Sequence, residues 1–386
     1  MTADRTATWS YPTTVRFGAG RIAELPEAAR AAGMARPLLV TDRGLAEAPM
    51  ITAARASLAE AGLAPGLFAE LSGDPGDAAV SAGVAALREG GHDGVIAMGG
   101  GAALDLGKAV AFMAGQTRPF ADFEDKADWW TRANAEAIRP VIAVPTTAGT
   151  GSEVGRAAVL SDAASGRKLI VFHPRLLPVE AICDPALTAG LPRAMTVGTG
   201  FDAIAHCLEA LVAPHWHPMS RGVALEGLRL ALPALPRAAE APEDLAARGD
   251  MMAAALMGAV AFQRGLGAVH ALSHPIGARF HTHHGTTNAV LLPAVLRAVA
   301  PAAREALDQA AALCAIAGGA EGLIDQVVAL RRALGVPETL ADLGVPREGA
   351  EALIPDALLD PSCGGSPVPL TAEALSRILD AAYRPA

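Results

Sequence analysis

The sequence predicts a two-part protein, an α/β first half built on a parallel sheet and an all-helical second half. Up to about Asp184, short apolar runs alternate with helix-like segments; beyond it the pattern is helical and is broken only by Pro and Gly. Strand–helix alternation is typical of a parallel sheet covered on both faces. A chain of 386 residues is also long for one core, which favours two domains. We therefore expect domains at residues 1–184 and 185–386.

The elements of the first half follow from local patterns. Four short apolar runs predict strands, at residues 37–42, 94–98, 140–144 and 179–183. Segments 20–32 and 77–89 carry apolar residues at three-to-four spacing, which predicts helices. Segments 157–161 and 168–172 flank a turn-rich link at 162–166, and this arrangement predicts an inserted hairpin.

Composition limits the class of protein and its partners. The chain is 52% hydrophobic and 18% charged, as in a well-buried globular protein, and its net charge is −9. That charge disfavours nucleic acid or an anionic membrane surface as a partner, and favours a small molecule. The four cysteines form no C-x-x-C pair, no signal-like apolar run opens the sequence, and no apolar run has the length of a membrane span. We expect a soluble cytoplasmic protein with reduced thiols.

A carboxylate and several histidines form the most informative pattern. Asp202 and His206 stand four residues apart, and His270, His274 and His284 recur further along. Four-residue spacing on a helix puts two side chains on one face. One carboxylate with several imidazoles is typical of a site for Fe²⁺, Zn²⁺, Mn²⁺, Co²⁺ or Ni²⁺, and does not choose among them. Any one of these histidines alone would more often be structural.

Two glycine- or hydroxyl-rich loops and one carboxylate lie at the ends of three predicted strands. Gly99, Gly100 and Gly101 precede a predicted helix, where backbone amides could approach a pyrophosphate. The loop 145–153 is rich in Thr, Ser and Gly, and Asp42 ends a strand where a carboxylate could accept hydrogen bonds from a ribose. The same residues also suit an ordinary strand-to-helix turn, a plain polar loop and a solvated turn residue. The glycine segment is not the Rossmann fingerprint.

Several motifs appear in a characteristic order along the whole chain. They are Gly99-Gly-Gly…Asp105…Lys108, Pro145-Thr-Thr-Ala-Gly-Thr-Gly-Ser-Glu153, Asp184-Pro-Ala-Leu-Thr…Pro192, Gly200-Phe-Asp-Ala-Ile-Ala-His-Cys-Leu-Glu209 and Gly267-Ala-Val-His…His274-Pro…His284-Gly-Thr-Thr-Asn288. With these motifs the chain resembles the iron-containing (group III) alcohol dehydrogenases. The resemblance implies the fold shared with dehydroquinate synthase-like proteins, in which a dinucleotide-binding α/β domain and a helical metal-binding domain meet at a cleft.

The resemblance also implies roles for individual residues. It implies Fe²⁺, with Zn²⁺ as another occupant, on Asp202, His206, His270 and His284. It implies NAD contacts at Asp42, Gly99, Gly100, Gly101, Thr146, Thr147, Thr150 and Lys168. His274 matches a histidine close to the metal, and we expect it either to relay the hydroxyl proton or to pack beside His270. A homodimer is implied as well, with N-terminal strands as a possible place of pairing.

The expected activity is hydride transfer between NAD(H) and a small primary alcohol or its aldehyde. Alternatives with the same fold are a maleylacetate reductase, a hydroxy-acid or semialdehyde reductase, and a glycerol dehydrogenase-like enzyme. Metal-free maleylacetate-reducing relatives lack the carboxylate found here at Asp202. Outside this reaction class stand a His-rich metallohydrolase and a dinucleotide sensor. The chain departs from the family pattern at Ala102, Asp74 and Ser366-Pro-Val368, and the last change leaves substrate contacts near Cys363 open.

Overall fold

The protein is described by a computed structural model that covers residues 9–162 and 167–385. Its described residues form two compact units. The sheet unit consists of Pro12–Thr147 and Ser152–Gly190, and the helical unit of Leu191–Ala386 with Ala148–Gly151 and the described residues of Met1–Tyr11. An α/β part with a parallel sheet and a mostly helical part confirm the predicted fold class. The domain division after residue 184 stays a prediction.

Among its described residues, the sheet unit carries eight strands and four α-helices. The strands are β1 (Thr14–Phe17), β2 (Pro37–Asp42), β3 (Gly66–Leu71), β4 (Gly94–Gly99), β5 (Val141–Pro145), β6 (Ala157–Asp162), β7 (Arg167–Phe172) and β8 (Glu180–Cys183). The helices are α1 (Leu25–Ala31), α2 (Pro49–Glu60), α3 (Asp77–Glu89) and α4 (Gly101–Met113). Six strands pair in parallel in the order β1-β8-β5-β4-β2-β3. Strands β6 and β7 form a separate antiparallel hairpin.

Burial explains which strands the sequence predicts. Strands β4, β5 and β8 are buried along their whole length, so each appears in the sequence as a continuous apolar run. The two edge strands were missed: β1 has no buried residue and β3 only two. Half-exposed edge strands carry a weak apolar signal. The hairpin prediction is confirmed, while residues 163–166 of its turn lie outside the described residues.

The helical unit contains nine α-helices among the described residues. They are α5 (Arg193–Val212), α6 (Pro218–Glu240), α7 (Leu245–Ala261), α8 (Ala268–Phe280), α9 (His284–Leu313), α10 (Gly319–Ala333), α11 (Arg347–Glu351), α12 (Ile354–Leu359) and α13 (Ala372–Ala382). Helix α5 lies at the centre and packs against α6, α7 and α9. Every residue from Thr196 to Val212 is buried, so α5 is enclosed by its neighbours on all sides, polar residues included.

Close packing around α5 depends on small residues. A Cβ atom added at Gly200 would lie 2.3 Å from Leu235 Cδ1, and one added at Gly198 would lie 2.5 Å from His283 Cε1. Helix α5 can therefore approach its neighbours more closely than larger side chains would permit. Leu245–Arg264 is long and apolar enough to cross a membrane by length and composition alone, but core helices pass the same test, and 50% of that window is buried in the protein.

Candidate metal centre and cofactor loops

Helix α5 aligns three acidic or basic side chains on one face. Asp202, His206 and Glu209 follow at four- and three-residue steps, so they stand above one another on successive turns. All three are buried, with 2%, 5% and 2% of their surfaces exposed. Ionisable groups are rarely buried unless they are paired or bind a ligand. This face of α5 is therefore the base of a candidate site.

Helices α8 and α9 bring further imidazoles to the same carboxylate. Asp202 Oδ1 lies 3.6 Å from His206 Nε2, 3.5 Å from His270 Nε2 and 3.4 Å from His284 Nε2. The ligand atoms of Asp202, His206 and His270 all lie within 4.8 Å of one another. The structure thus brings together the four predicted metal ligands, contributed by three helices.

The separations match those of a shared ion. Ligand atoms held about 2.1 Å from one ion in a tetrahedron lie about 3.4 Å apart. The three distances from Asp202 Oδ1 to imidazole nitrogens, 3.4–3.6 Å, fit this geometry. Three imidazoles and one carboxylate suit Fe²⁺ and other divalent first-row ions. The residues present therefore fit a metal centre.

Two of the three imidazoles are in the protonation state that binds metals, and the third is held protonated. Burial lowers the pKa of His206 to about 4 and that of His284 to about 3, so both are neutral at pH 7, the form that binds metals. Burial alone would raise the pKa of Asp202, yet His206 and His284 hold it well below its usual value. Burial likewise lowers the pKa of His270, but hydrogen bonds to Asp202 and Glu209 outweigh it and raise the pKa to about 10.

Two further residues contact the cluster directly. Glu209 Oε2 lies 2.5 Å from His270 Nδ1, and Asn288 Nδ2 donates to Asp202 Oδ1 at 2.8 Å. Both residues lie in the sequence motifs quoted above, which predict no role for them. A signal was available: Glu209 is seven residues after Asp202, and Asn288 is four after His284. Helical periodicity alone puts each of them on the face of a proposed ligand.

His274 lies beside the cluster and has a carboxylate partner. Its ring stacks on His284 at a centroid distance of 5.3 Å. Its Nδ1 lies 2.7 Å from Asp360 Oδ2. Burial raises the pKa of Asp360, but the neighbouring His274 outweighs burial and lowers the pKa to about 2. An ionised Asp360 favours the tautomer with the proton on Nδ1, which leaves Nε2 as an acceptor.

Six of the predicted cofactor residues lie at one end of the six-stranded sheet. Asp42, Gly99 and Thr146 end or follow β2, β4 and β5, which are neighbours. The Thr146 amide donates to Gly99 O at 2.9 Å, and Gly99 has φ +154°, a conformation that L side chains rarely adopt. Gly101 begins α4, so the first amides of a helix face the loop.

Two of the eight predicted cofactor residues stand apart from this group. Lys168 lies on the hairpin strand β7, and its Nζ is 3.1 Å from Asp74 Oδ2. Asp74 is one of the departures from the family pattern. Thr150 belongs to the helical unit. The remaining six, including Gly100 and Thr147, are close together: a Cβ atom added at Gly100 would lie 3.4 Å from Thr147 Cγ2.

A buried ion pair fixes the loop 145–153, which contains several of the predicted cofactor residues. Lys108 on α4 is 1% exposed, and its Nζ lies 3.1 Å from Asp105 Oδ1. Lys108 Nζ also donates to Ser152 O at 3.0 Å, and Ser152 Oγ donates to Asp105 Oδ1. These contacts connect the end of the 145–153 loop to helix α4. Asp105 and Lys108, which both belong to the sequence motifs, therefore have a structural role.

Comparison with known proteins agrees with this arrangement. The profile of the iron-containing alcohol dehydrogenases matches residues 12–185, and that of the C-terminal part of the Fe-containing alcohol dehydrogenase family matches residues 196–383. The 4-hydroxybutyrate dehydrogenase of Cupriavidus necator is 40% identical over 383 residues, which are 96% of this chain and 98% of that protein.

Solved structures agree over nearly the whole chain. A 1,3-propanediol oxidoreductase superposes with a TM-score of 0.93 at 32% identity, and covers 98% of this chain and 100% of its own. A sulfoacetaldehyde reductase from Bifidobacterium kashiwanohense in complex with NAD⁺ has a TM-score of 0.88 at 27% identity, with coverages of 98% and 99%. The chain therefore belongs to the iron-containing alcohol dehydrogenase family.

Proposed function

We propose that this protein is an NAD(H)-dependent alcohol dehydrogenase that uses Fe²⁺ or another divalent ion and acts on a small primary alcohol or its aldehyde. One observation carries the proposal: a buried carboxylate oxygen lies 3.4–3.6 Å from three imidazole nitrogens. When bound, the ion supplies Lewis acidity to an alcohol or carbonyl oxygen, and the nicotinamide accepts or returns the hydride. Asp202, His206, His270 and His284 hold the ion.

The end of the parallel sheet binds the dinucleotide. Backbone amides at the glycine loop and the first turn of α4 attract the pyrophosphate. The Asp42 carboxylate accepts hydrogen bonds from the adenosine ribose and repels a 2′-phosphate, which favours NAD over NADP. The contacts come from Asp42, Gly99, Gly100, Gly101, Thr146, Thr147, Thr150 and Lys168.

His274 relays the proton of the alcohol. With Nδ1 directed at Asp360 Oδ2, 2.7 Å away, its Nε2 can accept the hydroxyl proton and release it to solvent. The His274 side chain is 13% exposed, so a route to water exists. Asp360 is a positioning residue that fixes the orientation and tautomer of the ring.

An NADH-linked panel of aldehydes, run with Fe²⁺, with Zn²⁺ and with EDTA, tests the proposal. We expect metal-dependent turnover, and loss of that turnover in Asp202→Ala with NAD binding largely retained. Asp325→Ala, which removes an exposed aspartate of α10, is the control and should keep full activity. A metal-loaded protein that binds no nicotinamide dinucleotide, or whose turnover EDTA leaves unchanged, would contradict the proposal.

A hydroxy acid is a second candidate substrate. The observation that favours it is the 40% identity to a 4-hydroxybutyrate dehydrogenase. The same panel separates the candidates when it includes 4-hydroxybutyrate beside 1-butanol, which lacks the carboxylate. A kcat/KM at least tenfold higher for the hydroxy acid would establish a subsite for the carboxylate. Equal values would leave the plain primary alcohol as the substrate class.

We further propose a cytoplasmic homodimer without nucleic acid or membrane partners. The net charge of −9 supports the exclusion of nucleic acid and of anionic membrane surfaces. Strand β1 is an edge strand of the sheet, and such an edge can pair with a second copy. Sedimentation velocity tests the dimer: one species at twice the chain mass is expected, and a monomer at micromolar concentration would contradict it.

A further inference from the structure

Glu209 is a buried carboxylate that hydrogen-bonds a proposed metal ligand and the helix that carries it. It is 2% exposed. Its Oε2 lies 2.5 Å from His270 Nδ1, and its Oε1 accepts the backbone N–H of Val269 at 2.7 Å. One carboxylate therefore contacts both the ring of His270 and the first turn of the helix that carries it. The function proposed above gives Glu209 no role.

Gly267 lies close to the Glu209 carboxylate. A Cβ atom added at Gly267 would lie 2.9 Å from Glu209 Oε1, closer than real Cβ atoms approach. A side chain at position 267 would therefore require the Glu209 carboxylate to shift, whereas glycine leaves Oε1 within reach of the Val269 N–H.

The hydrogen bond determines which ring nitrogen is available. A carboxylate at Nδ1 favours the tautomer that carries its proton there, so the Nε2 lone pair faces outward. That Nε2 lies 3.5 Å from Asp202 Oδ1, in the proposed metal site.

We propose that Glu209 is a positioning residue for the metal: it holds His270 with Nε2 toward the ion and sets the strength of metal binding. This inference rests on the proposed metal site. Glu209→Gln keeps the shape but offers one acceptor to two N–H donors, those of Val269 and of the His270 ring, so one donor must face an NH₂ group. Glu209→Asp keeps both acceptors and the charge.

The test measures metal affinity and geometry apart from turnover. Wild type and variants are titrated with Zn²⁺ in competition with a chromophoric chelator, and the visible absorption of the Co²⁺-loaded proteins is recorded. We expect Glu209→Gln to weaken Zn²⁺ binding about 10- to 100-fold and to change the Co²⁺ bands. Glu209→Asp should recover part of the lost affinity. Glu180→Gln, which removes another buried carboxylate, 8% exposed and in the sheet unit, should bind Zn²⁺ like wild type.

A second variant and a spectroscopic measurement separate the role of Glu209 from the existence of the metal site. Wild-type affinity and bands in Glu209→Gln would overturn the role of Glu209, while unchanged Zn²⁺ affinity in Asp202→Ala would overturn the metal site itself. If Glu209→Gln does not fold, ¹⁵N spectra of histidine-labelled, Zn²⁺-loaded wild type decide. A His270 ring with the proton on Nδ1 and the metal on Nε2 supports the inference, and the opposite assignment refutes it.

Discussion

The pH dependence of metal binding is the most demanding prediction of the site. In the metal-free protein, burial disfavours the charged form of His270, but hydrogen bonds to Asp202 and Glu209 prevail and raise its pKa to about 10. A metal binds only the unprotonated nitrogen. At neutral pH the ion must therefore displace one proton from His270. Metal affinity should increase with pH.

The other ligands fix the size of the effect. Burial lowers the pKa of His206 to about 4 and that of His284 to about 3, so both are already neutral between pH 6.5 and 8.5. One displaced proton makes affinity rise about tenfold per pH unit, which is about 1.4 kcal/mol. Between pH 6.5 and 8.5 we expect about a 100-fold gain.

Chelator competition with Zn²⁺ at several pH values, corrected for the protonation of the chelator, measures this slope. Calorimetry in two buffers of different ionisation enthalpy counts the released protons independently. A Zn²⁺ affinity that does not change with pH would show that His270 is not protonated in the metal-free protein. A hundredfold gain in affinity per pH unit would show that a second imidazole is protonated as well. A pKa raised from 6.5 to about 10 also adds stability to the metal-free protein that is complete below pH 6.5 and is lost toward pH 10. Thermal melts of the metal-free protein test that sign.

Three substitutions test other parts of the account. Asn288→Ala removes the donor to Asp202 and should weaken Zn²⁺ binding about tenfold; equal affinity in the competition assay would contradict this. Gly99→Ala places a side chain at φ +154°, with its Cβ 2.7 Å from Ala103 Cβ. It should lower the free energy of unfolding by about 1–3 kcal/mol and weaken NAD binding measured by calorimetry. Wild-type stability and wild-type NAD affinity would refute the close approach. His274→Ala should lower kcat about 10²- to 10⁴-fold and leave Zn²⁺ affinity unchanged. An unchanged kcat would mean that His274 only packs beside His270.

Local periodicity was sufficient to predict the groups that share a helix. The four-residue step from Asp202 to His206 was visible in the sequence, and the same reasoning extended by one turn would have included Glu209. The buried strands β4 and β5 were equally clear, because strands with both faces covered are continuous apolar runs. In these regions, local sequence and three-dimensional contacts carry the same information.

Contacts between distant segments could not be found in this way. His274 and Asp360 are separated by 86 residues and meet through one hydrogen bond, which no spacing rule predicts. The ion pair between Lys168 and Asp74 is equally invisible to spacing rules, since the β6–β7 hairpin and the loop after β3 meet only in the folded sheet unit. That His284 joins Asp202 follows from the packing of α5 and α9, and the sequence alone supplied it only through family resemblance.

Anomalous diffraction from crystals of the Zn²⁺-loaded protein shows whether the four proposed ligands share one ion. We expect one strong peak per chain, about 2.0–2.2 Å from Asp202 Oδ1 and from the Nε2 atoms of His206, His270 and His284. A peak bound elsewhere, or four side chains that keep their positions without any peak, would contradict it.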